Sequence, residues 1–94
     1  MSHGDTYATE LARFRKGFGA NVRRLRRASD RGWSQEALAE RAHLHRTEIG
    51  KIEQGIVEPR LTTLVILADA LGVTLDEMVA GLGVPKRRRP PPER

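Results

Sequence analysis

Between residues 11 and 80 the apolar positions recur at steps of three and four with few breaks. Leu11, Phe14, Phe18, Val22 and Leu25 form the first stripe, the pattern of an amphipathic helix that buries one face. Gly17 and Gly19 fall inside it, and each costs about 1 kcal/mol relative to Ala in a helix interior, so the pattern predicts a helix beginning near Phe18. It stops in Ser29-Asp30-Arg31-Gly32. A second helix follows over Glu36 to Ala42, with Ser34 as N-cap and Trp33 and Leu38 as a hydrophobic staple. A third spans Arg46 to Gln54 and ends at Gly55, the residue type favoured just past a helix C-terminus. A fourth runs from about Leu61 to Leu71 and ends at Gly72. A fifth opens at Thr74, with Glu77 completing a capping box and Val73 stapled to Met78. No stretch alternates with period two for long enough to make a strand. The expected fold class is all-α: a compact five-helix bundle over residues 9–84, between a flexible N-terminus (1–8) and a disordered basic Pro/Arg tail (85–94).

The second and third helices are joined by only three residues, His43-Leu44-His45. Two short helices with so tight a turn make a helix-turn-helix. Leu38 and Ala42 must then meet Ile49 and Ile52, with Leu44 under the turn and Ala39 where the helices approach most closely. At about 100° per residue, Ile49 and Ile52 define the buried side of the third helix. Thr47, Gly50, Lys51 and Gln54 fall on the opposite side, with Arg46 at its edge. A polar, cation-bearing face with a glycine at its centre suits close approach to a DNA groove. Arg and Lys can donate to guanine O6 and N7, and Thr offers a hydroxyl and a methyl. Glu48 lies off that face and, with His45 as N-cap, is placed to reach back to the His45 backbone N–H. Gln35 opens its helix where free backbone N–H groups favour an anion such as a phosphate.

Charge sharpens this picture. The chain has 94 residues and carries 17 Lys and Arg against 12 Asp and Glu, a net charge of +5. The excess is concentrated in residues 10–31 and in the tail from Lys86 onward, flanking a slightly acidic middle, as expected for a polyanion partner. Lys86, Arg87, Arg88 and Arg89 form a dense positive run suited to phosphates or a minor groove. Cysteine is absent, which excludes disulfides and thiolate chemistry. No apolar run approaches a membrane span and the N-terminus has no signal-peptide pattern, so the cytosol is the expected compartment. His43 and His45 lack a third ligand at metal spacing, and Asp76 and Glu77 suit a helix N-terminus. Neither a metal, a cofactor nor catalysis is expected.

The ordered series Leu25-Arg26-Arg27-Ala28, Trp33 to Ala42 (WSQEALAERA), Ile49 to Gly55 (IGKIEQG), Pro59, and Leu64 to Glu77 (LVILADALGVTLDE) resembles the lambda-repressor-like helix-turn-helix proteins (Cro/CI or XRE type). The likeness covers about Phe18 to Ala80. It implies a double-stranded DNA partner, base contacts at Arg46, Thr47 and Lys51, backbone contacts at Gln35, His45 and Gln54, and a structural ion pair between Arg26 and Glu53. Three departures stand out. His43 occupies a turn position where the family usually has Gly, two extra residues lie near Ser29-Asp30, and Arg60 stands where a Ser, Thr or Asp usually caps the fourth helix.

The expected function is a sequence-specific transcriptional repressor or autoregulator, binding a near-palindromic operator as a homodimer. The alternative is an antitoxin-like or adaptor module of the same fold whose main task is to bind a partner protein. One reader helix covers few base pairs, so two-fold pairing is the usual solution. Phe14, Ile66, Met78, Leu82 and Val84 are the candidate dimer residues, because they exceed what a small core obviously needs.

Overall fold

The structure, a computed structural model, describes residues 5–29 and 31–86. Five helices follow in order: α1 (Asp5–Ala28), α2 (Gln35–Ala42), α3 (Arg46–Gln54), α4 (Leu61–Leu71) and α5 (Leu75–Met78). Among the described residues there is no strand. The fold is all-α, as the periodicity predicts.

The first helix departs most from expectation. It starts at Asp5, inside the stretch read as flexible, and runs unbroken for 24 residues, about 36 Å at 1.5 Å per residue. Gly17 and Gly19 sit in its middle because other backbone and side chains need their space. A Cβ on Gly19 would collide with the carbonyl oxygen of Ile52 and come within 2.5 Å of that of Glu53. One on Gly17 would lie 2.7 Å from the end of Leu82. At Gly19, close packing of α1 on α3 therefore outweighs the propensity cost of about 1 kcal/mol. Pro85 and Lys86 lie back along the same helix: Pro85 shares an apolar cleft with Leu11 and Phe14, and the Lys86 backbone N–H donates to Glu10 Oε1 at 3.3 Å. Pro85 and Lys86, read as the start of a disordered tail, are thus packed against α1, and residues 87–94 lie outside the described residues.

Around α1 the short helices close one core of Phe18, Val22, Leu38, Ala39, Ala42, Ile49, Ile52, Leu67, Ala68, Ala70 and Met78. The termini follow the chemistry read from the sequence, with two exceptions. Ser34 accepts from the Ala37 N–H at 3.0 Å, and Thr74 accepts from the Glu77 N–H at 3.1 Å. His43 takes the left-handed conformation, with φ 56°, a region in which His is one of the few enriched non-glycine residues. Gly55 has φ 76° and lies against the Lys16 backbone, so both conformation and space demand glycine there. The first exception is at α3. His45 makes no side-chain cap bond, and the return bond expected from Glu48 to the His45 N–H is not formed either; the two bonds of a capping box support each other. The second is at α5, where Glu77 turns to the Thr74 hydroxyl, which donates to its Oε1 at 3.3 Å. Arg60 is the N-cap of α4 and makes no side-chain cap bond.

Two cross-links fix how α2 and α5 sit. Arg41 Nε donates to the Ala70 carbonyl at 2.9 Å, satisfying an acceptor in the last turn of α4, and its guanidinium lies 5.0 Å from the centroid of the Trp33 ring. Asn21 Nδ2 donates to the carbonyls of Met78 and Ala80, at 3.0 and 3.1 Å. This anchors α5 to α1, and the Met78 side chain is fully buried in the core.

Candidate nucleic-acid interface

The turn at His43 and the contact between α2 and α3 place the outward side of α3 on the surface. Arg46, Thr47, Lys51 and Gln54 are exposed, and with Gly50, Gln35 and Ile56 they line one shallow depression. The geometry thus gathers the three residues expected at bases with two of those expected at the backbone. His45 is exposed at the start of α3. A Cβ on Gly50 would make only an ordinary 3.7 Å contact with Gln35 Oε1. The glycine is therefore not required by the fold, and its bare surface is what keeps the depression open.

Arg46 Nε lies 3.4 Å from Glu36 Oε2, with the two side chains 64% and 69% exposed. An ion pair so open to water contributes about 0–1 kcal/mol, so Arg46 can exchange Glu36 for a base or phosphate at little cost. Gln35 is more committed. Its Nε2 donates to Glu53 Oε1 at 3.0 Å, leaving one amide hydrogen and the first backbone N–H groups of α2 for a phosphate.

Behind this surface sits Glu53, whose side chain has no exposed area. Arg26 grips it with one edge of its guanidinium, Nε donating to Oε2 at 2.6 Å and an Nη to Oε1 at 2.9 Å. The other Nη of Arg26 donates to the Trp33 carbonyl at 2.7 Å. Arg23 Nε adds a longer contact at 3.4 Å. Burial alone would push the Glu53 carboxyl up, but the bonds from Arg26, Gln35 and Arg23 outweigh it and hold the group below its ordinary value. The Glu53 hydrogen bond correspondingly raises Arg26, against its own desolvation. Resemblance supplied the Arg26–Glu53 pair. The recruitment of Gln35, Arg23 and the Trp33 carbonyl was missed, although Arg23 and Arg26 stand one turn apart and so share a side of α1.

The residues expected at a dimer surface scatter. Met78 is fully buried in the core cluster and closed to a partner. Phe14 lines the cleft with Leu11, Phe18, Pro59, Leu64, Val79 and Pro85. Ile66 and Leu82 are half-buried against the core, Leu82 over Gly17. Only Val84, at 78% exposure, stands clear. Leu61 and Val65, 72% and 51% exposed and one turn apart on α4, were not singled out in the sequence; an i, i+4 pair of large apolar residues outside the inward set was the available signal. Of the basic tail run, Lys86 is exposed, while Arg87, Arg88 and Arg89 lie outside the described residues.

A short second helix, a tight turn and an exposed polar reader helix define a helix-turn-helix DNA-binding domain. A family model for helix-turn-helix proteins matches residues 22–78, and the chain belongs to that family, in its lambda-repressor-like branch of DNA-binding transcription regulators. It is 41% identical over 64 residues to the control protein C.SmaI of Serratia marcescens, covering 68% of this chain and 74% of that one. It is 36% identical over 64 residues to the prophage-derived transcriptional regulator YonR of Bacillus subtilis (strain 168), 68% of this chain and 57% of that one. Among solved structures, the restriction-modification controller protein C.AhdI of Aeromonas hydrophila superposes with a TM-score of 0.63 at 36% identity, over 67% of this chain and 92% of that one. The hypothetical transcription factor NHTF of Neisseria superposes at 0.64 and 32% identity, over 70% and 74%. No helix among the described residues is long and apolar enough to cross a membrane.

Proposed function

We propose that this chain is an operator-binding regulator of the controller-protein kind, acting as a homodimer on a near-palindromic site and repressing or autoregulating by occupancy. One observation carries the reading: Arg46, Thr47, Lys51 and Gln54 share an exposed depression around Gly50, on a helix whose opposite side is locked in the core by Ile49 and Ile52. The α3 helix enters the major groove, Arg46, Thr47 and Lys51 meet base edges, and the start of α2 with Gln35, His45 and Gln54 holds the backbone. Lys86 and the arginines after it add phosphate contacts beside the site. The similarity to C.SmaI and C.AhdI supports the controller assignment.

The test is selection of bound sequences from random duplexes, followed by mobility shifts across salt concentrations. The expected result is a two-fold related consensus, bound with an affinity that falls steeply with salt. Binding without sequence preference and with a flat salt response would overturn the reading and favour a protein-binding adaptor.

A further inference from the structure

Helix α1 carries more positive charge than its packing uses. Lys16, Arg23 and Arg27 are exposed and separated by seven and four residues, so at 3.6 residues per turn they share one side of the helix. Arg24 lies on the flank of that side, with its guanidinium on the Asn21 amide oxygen at 3.2 Å. Among the described residues, the carboxylates that pair with α1 are Glu10 and Glu53. Glu10 pairs with Arg13 at 3.0 Å, and Glu53 is buried under the Arg26 fork. Among the described residues, neither Lys16 nor Arg27 makes a side-chain ion pair or hydrogen bond. Arg23 and Arg27 stand at i, i+4 and Arg24 and Arg27 at i, i+3, where like charges repel. A row of like charges in which Lys16 and Arg27 have no carboxylate partner among the described residues is complementary to a polyanion.

Its position says which one. The Lys16 backbone abuts Gly55, at the end of the reader helix, and Arg23 touches Glu53, the residue that also holds Gln35 at the start of α2. The row therefore runs beside the reader helix, on the side where α2 meets the DNA backbone. Between the arginines the small residues Ala20 and Ala28 leave a shallow groove whose floor is the neutralised Glu53. From Lys16 to Arg27 the row is about 17 Å long at 1.5 Å per residue, long enough to face successive phosphates of one strand. Lys16 lies upstream of the family-matched residues 22–78, on the long N-terminal half of α1.

We propose that Lys16, Arg23 and Arg27 form a second DNA-contact surface, a rail that binds the phosphate backbone flanking the segment read by α3. The inference rests on the DNA-binding reading above and adds a site to it. The rail carries no base information, so it strengthens binding to every sequence alike.

The test is anisotropy titration of the full chain against its selected duplex and an unrelated duplex across salt, comparing the parent with K16Q/R27Q. Neither of those two residues bonds to Glu53, and an unchanged unfolding midpoint confirms the fold; R23Q on this background removes the third charge. The double variant is expected to lower the log–log salt slope by about 2, at about 0.9 per phosphate contact, on both duplexes, with the selected consensus unchanged. The difference disappears on a duplex trimmed to the segment read by α3. A parent that binds with sequence preference, and a double variant with the parent's slope, overturn the rail alone. An altered consensus also overturns it, because the row would then read bases. A parent that binds no duplex overturns both readings together.

Discussion

A carboxylate with no exposed side-chain area, gripped by Arg26, Gln35 and Arg23, sits behind the reader helix, and its chemistry is felt in stability before it is felt in binding. Because the folded state holds Glu53 below its ordinary value, the stabilisation is fully present above the unfolded carboxyl value of about 4.3. It is lost as pH falls through the folded value. Urea unfolding between pH 7 and pH 3 is therefore expected to show a stability advantage of the parent over Glu53→Gln that shrinks in acid; a constant difference would contradict the assignment. Arg26→Ala strands the buried charge, and a loss of about 3–5 kcal/mol is expected at neutral pH. At the surface the stakes reverse. Arg46 is held only by an exposed Glu36, so Arg46→Ala is expected to leave stability nearly unchanged. It should weaken operator binding by about 1–3 kcal/mol and relax preference at one base pair. Equal weakening on all sequences would instead make Arg46 a phosphate contact.

Among the elements, α1 shows where periodicity informs and where it stops. The caps at Ser34 and Thr74, the stops at Gly55 and Gly72, and the inward set Leu38, Ala42, Ile49 and Ile52 were legible because each depends on residues within a turn or two of one another. The role of Gly17 and Gly19 was not, because the atoms that exclude a Cβ belong to Leu82 and to the end of α3, far off in the chain. Met78 misled for the same reason: it packs in a core built from residues far off in the chain, and the bond that anchors its backbone comes from Asn21, 57 residues upstream. The reader face was legible because it is the complement of one helix's own apolar side, whereas the Glu53 network draws on three helices. The two glycines give a contrasting pair. Gly19→Ala meets backbone carbonyls that cannot yield, so its thermal midpoint should fall despite the helix-propensity gain of about 1 kcal/mol. Gly17→Ala meets the end of a flexible leucine and should stay close to the parent. Similar losses for both in calorimetry would mean that α1 is not packed as described.

For the whole molecule the open question is the pairing of two copies. With Met78 buried and Phe14, Ile66 and Leu82 engaged within the chain, Val84 remains exposed, and the outward pair Leu61 and Val65 adds an apolar surface on one helix, α4, that suits the proposed homodimer. An exposed large apolar pair of this kind suits a partner surface, and the short reach of one reader helix makes a second copy the fitting occupant. Sedimentation velocity at micromolar concentration should find the parent dimeric and L61D/V65D monomeric yet folded. A monomeric parent, or a dimeric double variant, would remove this surface from consideration. The Arg41 bond to the Ala70 carbonyl then acquires a metrical consequence. It pins α2, and with it the reader helix, to the helix that would carry the pairing surface, so the distance between two readers becomes a fixed length, like the gap between the jaws of a caliper. Inserting one base pair between half-sites turns the second by about 35°, given 10–10.5 base pairs per turn, and a rigid caliper has no joint to follow it. Operators with altered spacers should therefore lose cooperative occupancy abruptly rather than by degrees, and Arg41→Ala, by removing the bond to the Ala70 carbonyl, should soften the dependence.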